Sequence, residues 1–158
     1  NFLIGLGAFL VARLCYALAF GLNIAEAGPG GNILVPSLLA AGIAAYGFFH
    51  AYDLMPYVDD VVAMPVIVYI CAISLMGMLA AFRFSRTYMR SFVLVMVGVA
   101  LFIASDSIMV ANRFVKPLAH AEWSIALTYG LGQFLIAAGA LAHVLAPEEL
   151  RRKAALST

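Results

Sequence analysis

Asp106 lies inside a long apolar stretch, residues 91–114, in the run Ser105-Asp106-Ser107. A carboxylate within a membrane helix is costly unless it pairs, takes up a proton or faces water, so it marks a candidate site for chemistry. Arg13 lies in the middle of another apolar stretch and is a cation that could pair with Asp106. The two side chains together predict a polar site inside a membrane bundle.

Further polar residues fall at similar depths in the other apolar stretches. Counting about 1.5 Å per residue from the outer end of each span places Tyr69, Asp106 and Tyr129 at roughly 8–12 Å. Arg13 and Gln133 follow at roughly 15–20 Å. Four spans therefore contribute polar groups at neighbouring depths of the membrane, where such groups are unfavourable without partners.

Helical spacing gives these residues a common direction. Arg13 and Tyr16 share one stripe of their helix, and Asp106 and Arg113 share another. The simplest arrangement points both stripes, with Tyr69, into a central polar cavity. We predict Asp106 as the catalytic residue and the following substrate-binding residues: Arg13, Tyr16, Tyr69, Ser105, Asn112, Arg113, Tyr129 and Gln133.

Each of these residues also has a structural alternative. Asp106 and Arg13 could form a buried pair that only fixes helix register. The tyrosines could be packing aromatics, and Gln133 could hydrogen-bond between helices. Arg113 fits an interfacial anchor. Three histidines lie near the ends of spans, where solvation satisfies them: His50, His120 and His143.

The elements that must position this site are transmembrane helices. The 158 residues are 65% hydrophobic and 11% charged, with a mean hydropathy of +1.04, which excludes an ordinary soluble domain. A span needs about 20 apolar residues, and five segments qualify: 2–22, 32–52, 61–82, 91–111 and 123–146. We therefore predict an all-α, polytopic transmembrane bundle in a single domain, with a basic tail over residues 147–158.

Basic residues orient the bundle, because cytoplasmic loops hold an excess of Lys and Arg. Arg113 and Lys116 fall on one face, and a larger basic set falls on the other: Arg83, Arg86, Arg90, Arg151, Arg152 and Lys153. The second face is predicted to be cytoplasmic, together with the C-terminus. The chain opens at Asn1 without a signal-peptide pattern, and we expect that the natural protein begins further upstream.

Four blocks of the sequence, residues 7–20, 65–70, 102–114 and 128–136, resemble the YhhN-type family of lysoplasmalogenases. The resemblance implies a membrane enzyme that cleaves the vinyl ether bond of a lysophospholipid, and we expect no cofactor. The products would be a fatty aldehyde and a glycerophospho-ethanolamine or -choline. It also implies about eight spans of about 20 residues each, three of them before Asn1. We expect the protein to lie in a bacterial inner membrane.

Two features depart from the family pattern. The family usually has a histidine at the position of Arg13, and its Gly-Asp motif on an earlier helix would lie before Asn1. Vinyl ether hydrolysis begins with proton transfer to carbon, so a buried, protonated Asp106 would serve as the acid and a second carboxylate as the base. A guanidinium close to Asp106 would instead favour its use as the base. Arg13 is preferred here as a ligand of the lipid phosphate, with Arg113 as a second candidate.

A small-solute transporter or channel is the main rival, since the same polar band would serve as a binding site. A scaffold held by a buried Asp–Arg pair is a third possibility.

Lys116 and Lys153 lie outside the spans, which argues against a retinal Schiff base, and the sequence lacks metal-ligand spacing. A net charge of +1 gives no sign of nucleic-acid binding, and the oligomeric state stays open.

Overall fold

The computed structural model describes residues 2–28 and 31–156, and all five long elements in that part of the chain are helices. The helices follow one another in antiparallel order through short connections, as the sequence predicts for neighbouring spans. Their bounds are α1 Phe2–Ala27, α2 Leu34–Leu54, α3 Asp60–Phe82, α4 Met89–Val110 and α5 Ala121–Leu156. Each is long and apolar enough to cross a membrane, which confirms the predicted all-α, five-span architecture.

Two helices run well past the predicted spans. α1 continues to Ala27, and α5 continues to Leu156, beyond the apolar part of its sequence. Of the predicted tail, 147–158, the backbone is helical to Leu156, while its side chains and last two residues lie outside the described residues. Hydropathy marks where a helix can be buried in lipid, whereas backbone hydrogen bonding can carry the helix further into the polar region.

The connections contain the turn chemistry that the sequence indicates. Gly28 and Gly31 have φ values of 72° and 88°, a region that favours glycine, and Pro29 and Gly30 between them lie outside the described residues. A short 3₁₀ turn, Met55–Tyr57, follows α2. α4 ends in a turn of π-helix, Ala111–Val115, in which the amide of Lys116 donates to the Ala111 carbonyl at 3.0 Å.

Small residues bring α4 and α5 into close contact. A Cβ added at Gly98 would lie 2.8 Å from the Gly132 carbonyl oxygen, and one added at Gly132 would lie 2.8 Å from the Phe102 ring. Gly139 approaches the Ser91 carbonyl in the same way. Membrane helices use such residues because lipid provides no hydrophobic force between them, so close backbone packing must hold the pair together.

α3 runs through the middle of the bundle, and it packs against α1, α2 and α4. Two apolar clusters fill the core. One, towards the connection between α3 and α4, is centred on Met76, Val99 and Phe102. The other, towards the connection between α2 and α3, includes Tyr69 and Val110. Asp106 lies on α4 between Phe102 and Val110, so the carboxylate lies where the two clusters meet.

Candidate active site

Asp106 accepts hydrogen bonds from two other helices. Arg13 of α1 donates through Nη2 to Oδ1 at 3.3 Å and to Oδ2 at 3.2 Å, and these atoms also form an ion pair. The Tyr69 hydroxyl of α3 donates to Oδ2 at 2.7 Å. All three side chains are buried. The structure thus joins three of the predicted site residues, and every one of these contacts uses Asp106 as an acceptor.

Arg13 is held by the protein core rather than by a membrane surface. Its side chain is 1% exposed, and its Cζ lies 3.9 Å from the centroid of the Phe102 ring, a cation–π contact that suits a desolvated guanidinium. Phe9 lies on a second side at 5.9 Å. This geometry favours the ion-pair alternative for Arg13 over the role of phosphate ligand, since the guanidinium is engaged with Asp106.

A second polar pair lies one turn further along α1. Gln133 of α5 donates a hydrogen bond from Nε2 to the Tyr16 hydroxyl. Tyr129 stacks on Phe102, with ring centroids 5.3 Å apart, and also meets Phe9 edge-on at 5.5 Å. The Phe102 ring therefore contacts both the Arg13 guanidinium and the Tyr129 ring, and it links this part of the predicted set to the Arg13–Asp106 pair.

The remaining predicted residues have other surroundings. The Ser105 hydroxyl donates to the Ile125 carbonyl at 3.2 Å, which ties α4 to α5. The Asn112 side-chain oxygen accepts from the Leu118 amide at 2.8 Å and so holds the connection after α4. Arg113 is exposed in the π turn, where the changed helical phase breaks the simple stripe from Asp106. Ser105 and Asn112 thus make contacts within the protein, and their part in substrate binding stays a prediction.

A small cavity of about 30 Å³ adjoins Asp106 and is lined by residues of α2, α3 and α4. Its volume is enough for a water molecule. Apolar side chains form most of the wall, including Ile70, Ile73 and Ile103. The polar lining residues are Tyr46, His50, Tyr69, Ser74, Asp106 and Ser107.

Four of these polar lining residues were not predicted as part of the site: Tyr46, His50, Ser74 and Ser107. The Tyr46 hydroxyl and the Ser107 Oγ are 2.7 Å apart, and the Tyr46 and His50 rings stack at 5.6 Å. Sequence reasoning assigned His50 to a solvated helix end. The available signal was the four-residue spacing of Tyr46 and His50, which puts both rings on one face of α2. That face lines the cavity next to Asp106, with His50 half-buried and Tyr46 still exposed on its outer side.

The arrangement is suited to acid–base chemistry on a molecule held in the membrane. A buried carboxylate, oriented by two donors, borders a water-sized space, and an imidazole lines the same space. Asp106 is nine residues, or about 14 Å, from Val115, where the candidate span Met89–Val115 ends. The site therefore lies inside the apolar layer, on the side of its centre that leads to the connection between α4 and α5.

Comparison with known proteins finds one matching family model, described as the YhhN family, over residues 1–140. Two curated relatives are named lysoplasmalogenase, from Mycobacterium bovis and Mycobacterium tuberculosis, and each is 32% identical over 142 residues. The alignment covers 87% of this chain and 50% of each relative, so the chain spans about half the length of these relatives. No solved structure gives a significant match.

Proposed function

Because this chain belongs to the YhhN family, we propose that it forms the reaction centre of a lysoplasmalogenase-like membrane hydrolase. The substrate is a lysophospholipid with a vinyl ether bond, and the products are a fatty aldehyde and a glycerophospho head group. One observation carries the proposal. Asp106, oriented by Arg13 and Tyr69, borders a water-sized cavity with apolar walls.

The depth of the cavity supports this substrate. The vinyl ether of a lysoplasmalogen joins the hydrocarbon chain to glycerol, so it lies just below the head groups of a bilayer. Asp106 lies within the apolar layer, on the side that leads to the connection between α4 and α5, and is about 14 Å from the Val115 end of the span Met89–Val115. Arg113, exposed in the π turn between Asp106 and Val115, stays the predicted contact for the head-group phosphate.

The contacts of Asp106 suit the base in this hydrolysis. Protonation of the β-carbon converts the vinyl ether to an oxocarbenium ion, to which water adds to give a hemiacetal. An ionised Asp106 stabilises the cation and takes a proton from the attacking water, as carboxylates do in glycoside hydrolysis. Its hydrogen bonds from Arg13 and Tyr69 fit an acceptor.

His50 is our candidate for the acid. It lines the cavity from α2 and can transfer a proton from its imidazolium to the β-carbon. Collapse of the hemiacetal then returns the hydroxyl proton to His50, while Asp106 gives its proton to the departing glycerol oxygen. One water is consumed, and both side chains recover their starting forms.

The function is tested with purified full-length protein in detergent or lipid vesicles. We expect it to release fatty aldehyde from a lysoplasmalogen without any ion gradient, and to leave the matching alkyl ether lipid intact, because only a vinyl ether can be protonated at the β-carbon. Aldehyde would be measured by coupled oxidation. A folded full-length protein that gives no aldehyde would contradict the proposal, and solute uptake into vesicles would support the transporter.

Replacing His50 by Gln is expected to slow aldehyde release by about a hundredfold or more, because the proton donor is lost. Activity of the unmodified protein should fall at high pH as the donor loses its proton, and the variant should lack that dependence. The pH profile of initial rates measures both effects. His120→Gln, at an exposed position outside the helices, is the matched control. Unchanged turnover in His50→Gln would leave an acid elsewhere in the full-length protein as the donor.

A further inference from the structure

Arg83 is a buried cation without an anionic partner among the described residues. It directly follows α3, in the connection to α4, and its side chain is 1% exposed. Its Nη2 donates to the Ser91 hydroxyl at 2.9 Å, but Nε and Nη1 have no hydrogen-bond partner. Burial lowers the pKa of Arg83 to about 10, so the group still carries its charge at neutral pH. A buried, charged donor left unpaired is strongly unfavourable, which indicates that an acceptor binds here.

Two neighbouring side chains share this feature. Nε of Arg86 and Nδ1 of His143 are also buried without a hydrogen-bond partner. Of the five such atoms in the described side chains, four belong to Arg83, Arg86 and His143. The charge of Arg83 acts on His143, and the His143 ring lies 5.9 Å from that of Tyr88 in the connection between α3 and α4. The unpaired atoms therefore collect at one end of the bundle.

No carboxylate in the described part of the chain neutralises this group. Glu26 is near enough for its charge to act on His143, but it is exposed and forms no ion pair with Arg83. Arg86 and His143 are only partly buried, so they form the rim of the group, while Arg83 lies beneath them. An anion that reaches the rim would meet several donors at once.

The position of Arg83 favours the phosphate group of a lipid as that anion. Arg83 is the first residue after the apolar span Asp60–Phe82, so it lies where hydrocarbon gives way to head groups. Basic pockets between helices at this depth bind lipid head groups, and phosphate oxygens accept from several guanidinium N–H groups together. We propose that Arg83, with Arg86 and His143 at the rim, binds the phosphate of an anionic membrane phospholipid.

This lipid is distinct from the substrate. Tyr69 and Arg83 are 14 positions apart along the helical direction of α3, which corresponds to about 21 Å. The phosphate and the vinyl ether of one lysophospholipid are joined through glycerol alone and cannot span that length. The lipid at Arg83 therefore belongs to the opposite leaflet, and its binding does not depend on hydrolysis at Asp106.

The test titrates purified full-length protein in neutral detergent with phosphatidylglycerol, phosphatidylcholine or inorganic phosphate. Bound lipid is counted by native mass spectrometry, and Tm is followed in parallel. We expect phosphatidylglycerol to bind and raise Tm, and Arg83→Gln to weaken that binding by about tenfold or more. Arg90→Gln, at an exposed position in the first turn of α4, is the matched control and should bind normally.

The arms of the titration separate the sources of phosphate. Binding of phosphatidylglycerol but not of inorganic phosphate supports a membrane lipid, whereas saturation by inorganic phosphate alone would overturn that assignment. Equal lipid binding by Arg83→Gln and the unmodified protein would overturn the site. If Arg83→Gln does not fold, Arg86→Gln at the rim should still weaken binding by about threefold, and its failure to do so would also overturn the site. A folded full-length protein that binds none of the three ligands would likewise overturn the site.

Discussion

Replacing Asp106 by Asn in the full-length protein is expected to lower aldehyde release by about a hundredfold to ten-thousandfold. Asn keeps the shape of the side chain and one oxygen that can accept from Tyr69 or Arg13. It cannot take a proton from water or balance the charge of an oxocarbenium ion. Initial rates of aldehyde release, expressed per mole of folded protein, measure the effect.

The matched control for this substitution is Asp59→Asn. Asp59 is exposed before α3 and makes no side-chain capping hydrogen bond, so the control removes a carboxylate without disturbing a buried contact. Its rate should equal that of the unmodified protein. Near-normal turnover in Asp106→Asn would remove Asp106 from the mechanism, and loss of the folded form would shift the test to Tyr69→Phe, which keeps the ion pair.

Replacing Arg13, the cation of the Arg13–Asp106 pair, is expected to have the largest effect on stability. Arg13→Met should lower the free energy of unfolding by about 3–5 kcal/mol, because it leaves a buried carboxylate without its counter-charge. The double variant Arg13→Met with Asp106→Leu should recover most of that loss, because no buried charge then remains. Unfolding of the full-length protein in mixed micelles measures Arg13→Met, Asp106→Leu and the double variant in one cycle.

Arg90→Met serves as the control for losing an arginine, and its exposed position predicts a change within about 0.5 kcal/mol. If the effects of the two single changes simply added in the double variant, the pair would carry no coupling energy. Arg13 would then be free for another role, such as the phosphate contact that the sequence alone suggested. Retained stability in Arg13→Met would lead to the same conclusion.

The height of each residue along its helix could be predicted from the sequence. Hydropathy locates the five spans, and a fixed rise per residue then puts Asp106, Tyr69 and Arg13 at neighbouring depths. In the structure the three side chains meet. This prediction works because an unpaired charge in hydrocarbon is so unfavourable that an oppositely charged neighbour at the same depth is its natural partner.

The rotation of each helix about its axis could not be predicted in the same way. Spans with apolar residues on all sides carry little sign of which face meets a neighbour, so the inward turn of His50 on α2 was missed. The π turn after α4 similarly changes the direction of Arg113. The sequence placed Arg83 in a loop and gave no sign of its burial. That burial depends on how the connection between α3 and α4 folds, which brings the guanidinium to the Ser91 hydroxyl and the Phe20 ring.

The side of the cavity where α2 meets α4 determines how a substrate could enter. α2 packs on α3 and reaches α4 through the Tyr46–Ser107 hydrogen bond, and the Tyr46 ring at that junction is 46% exposed. The proposed reaction centre, bounded this way, would draw on molecules that diffuse within the plane of the bilayer. The rate of aldehyde release should then follow the mole fraction of the lysophospholipid among the surrounding lipids. Added inert lipid should lower that rate even when the total amount of lysophospholipid in the sample is fixed.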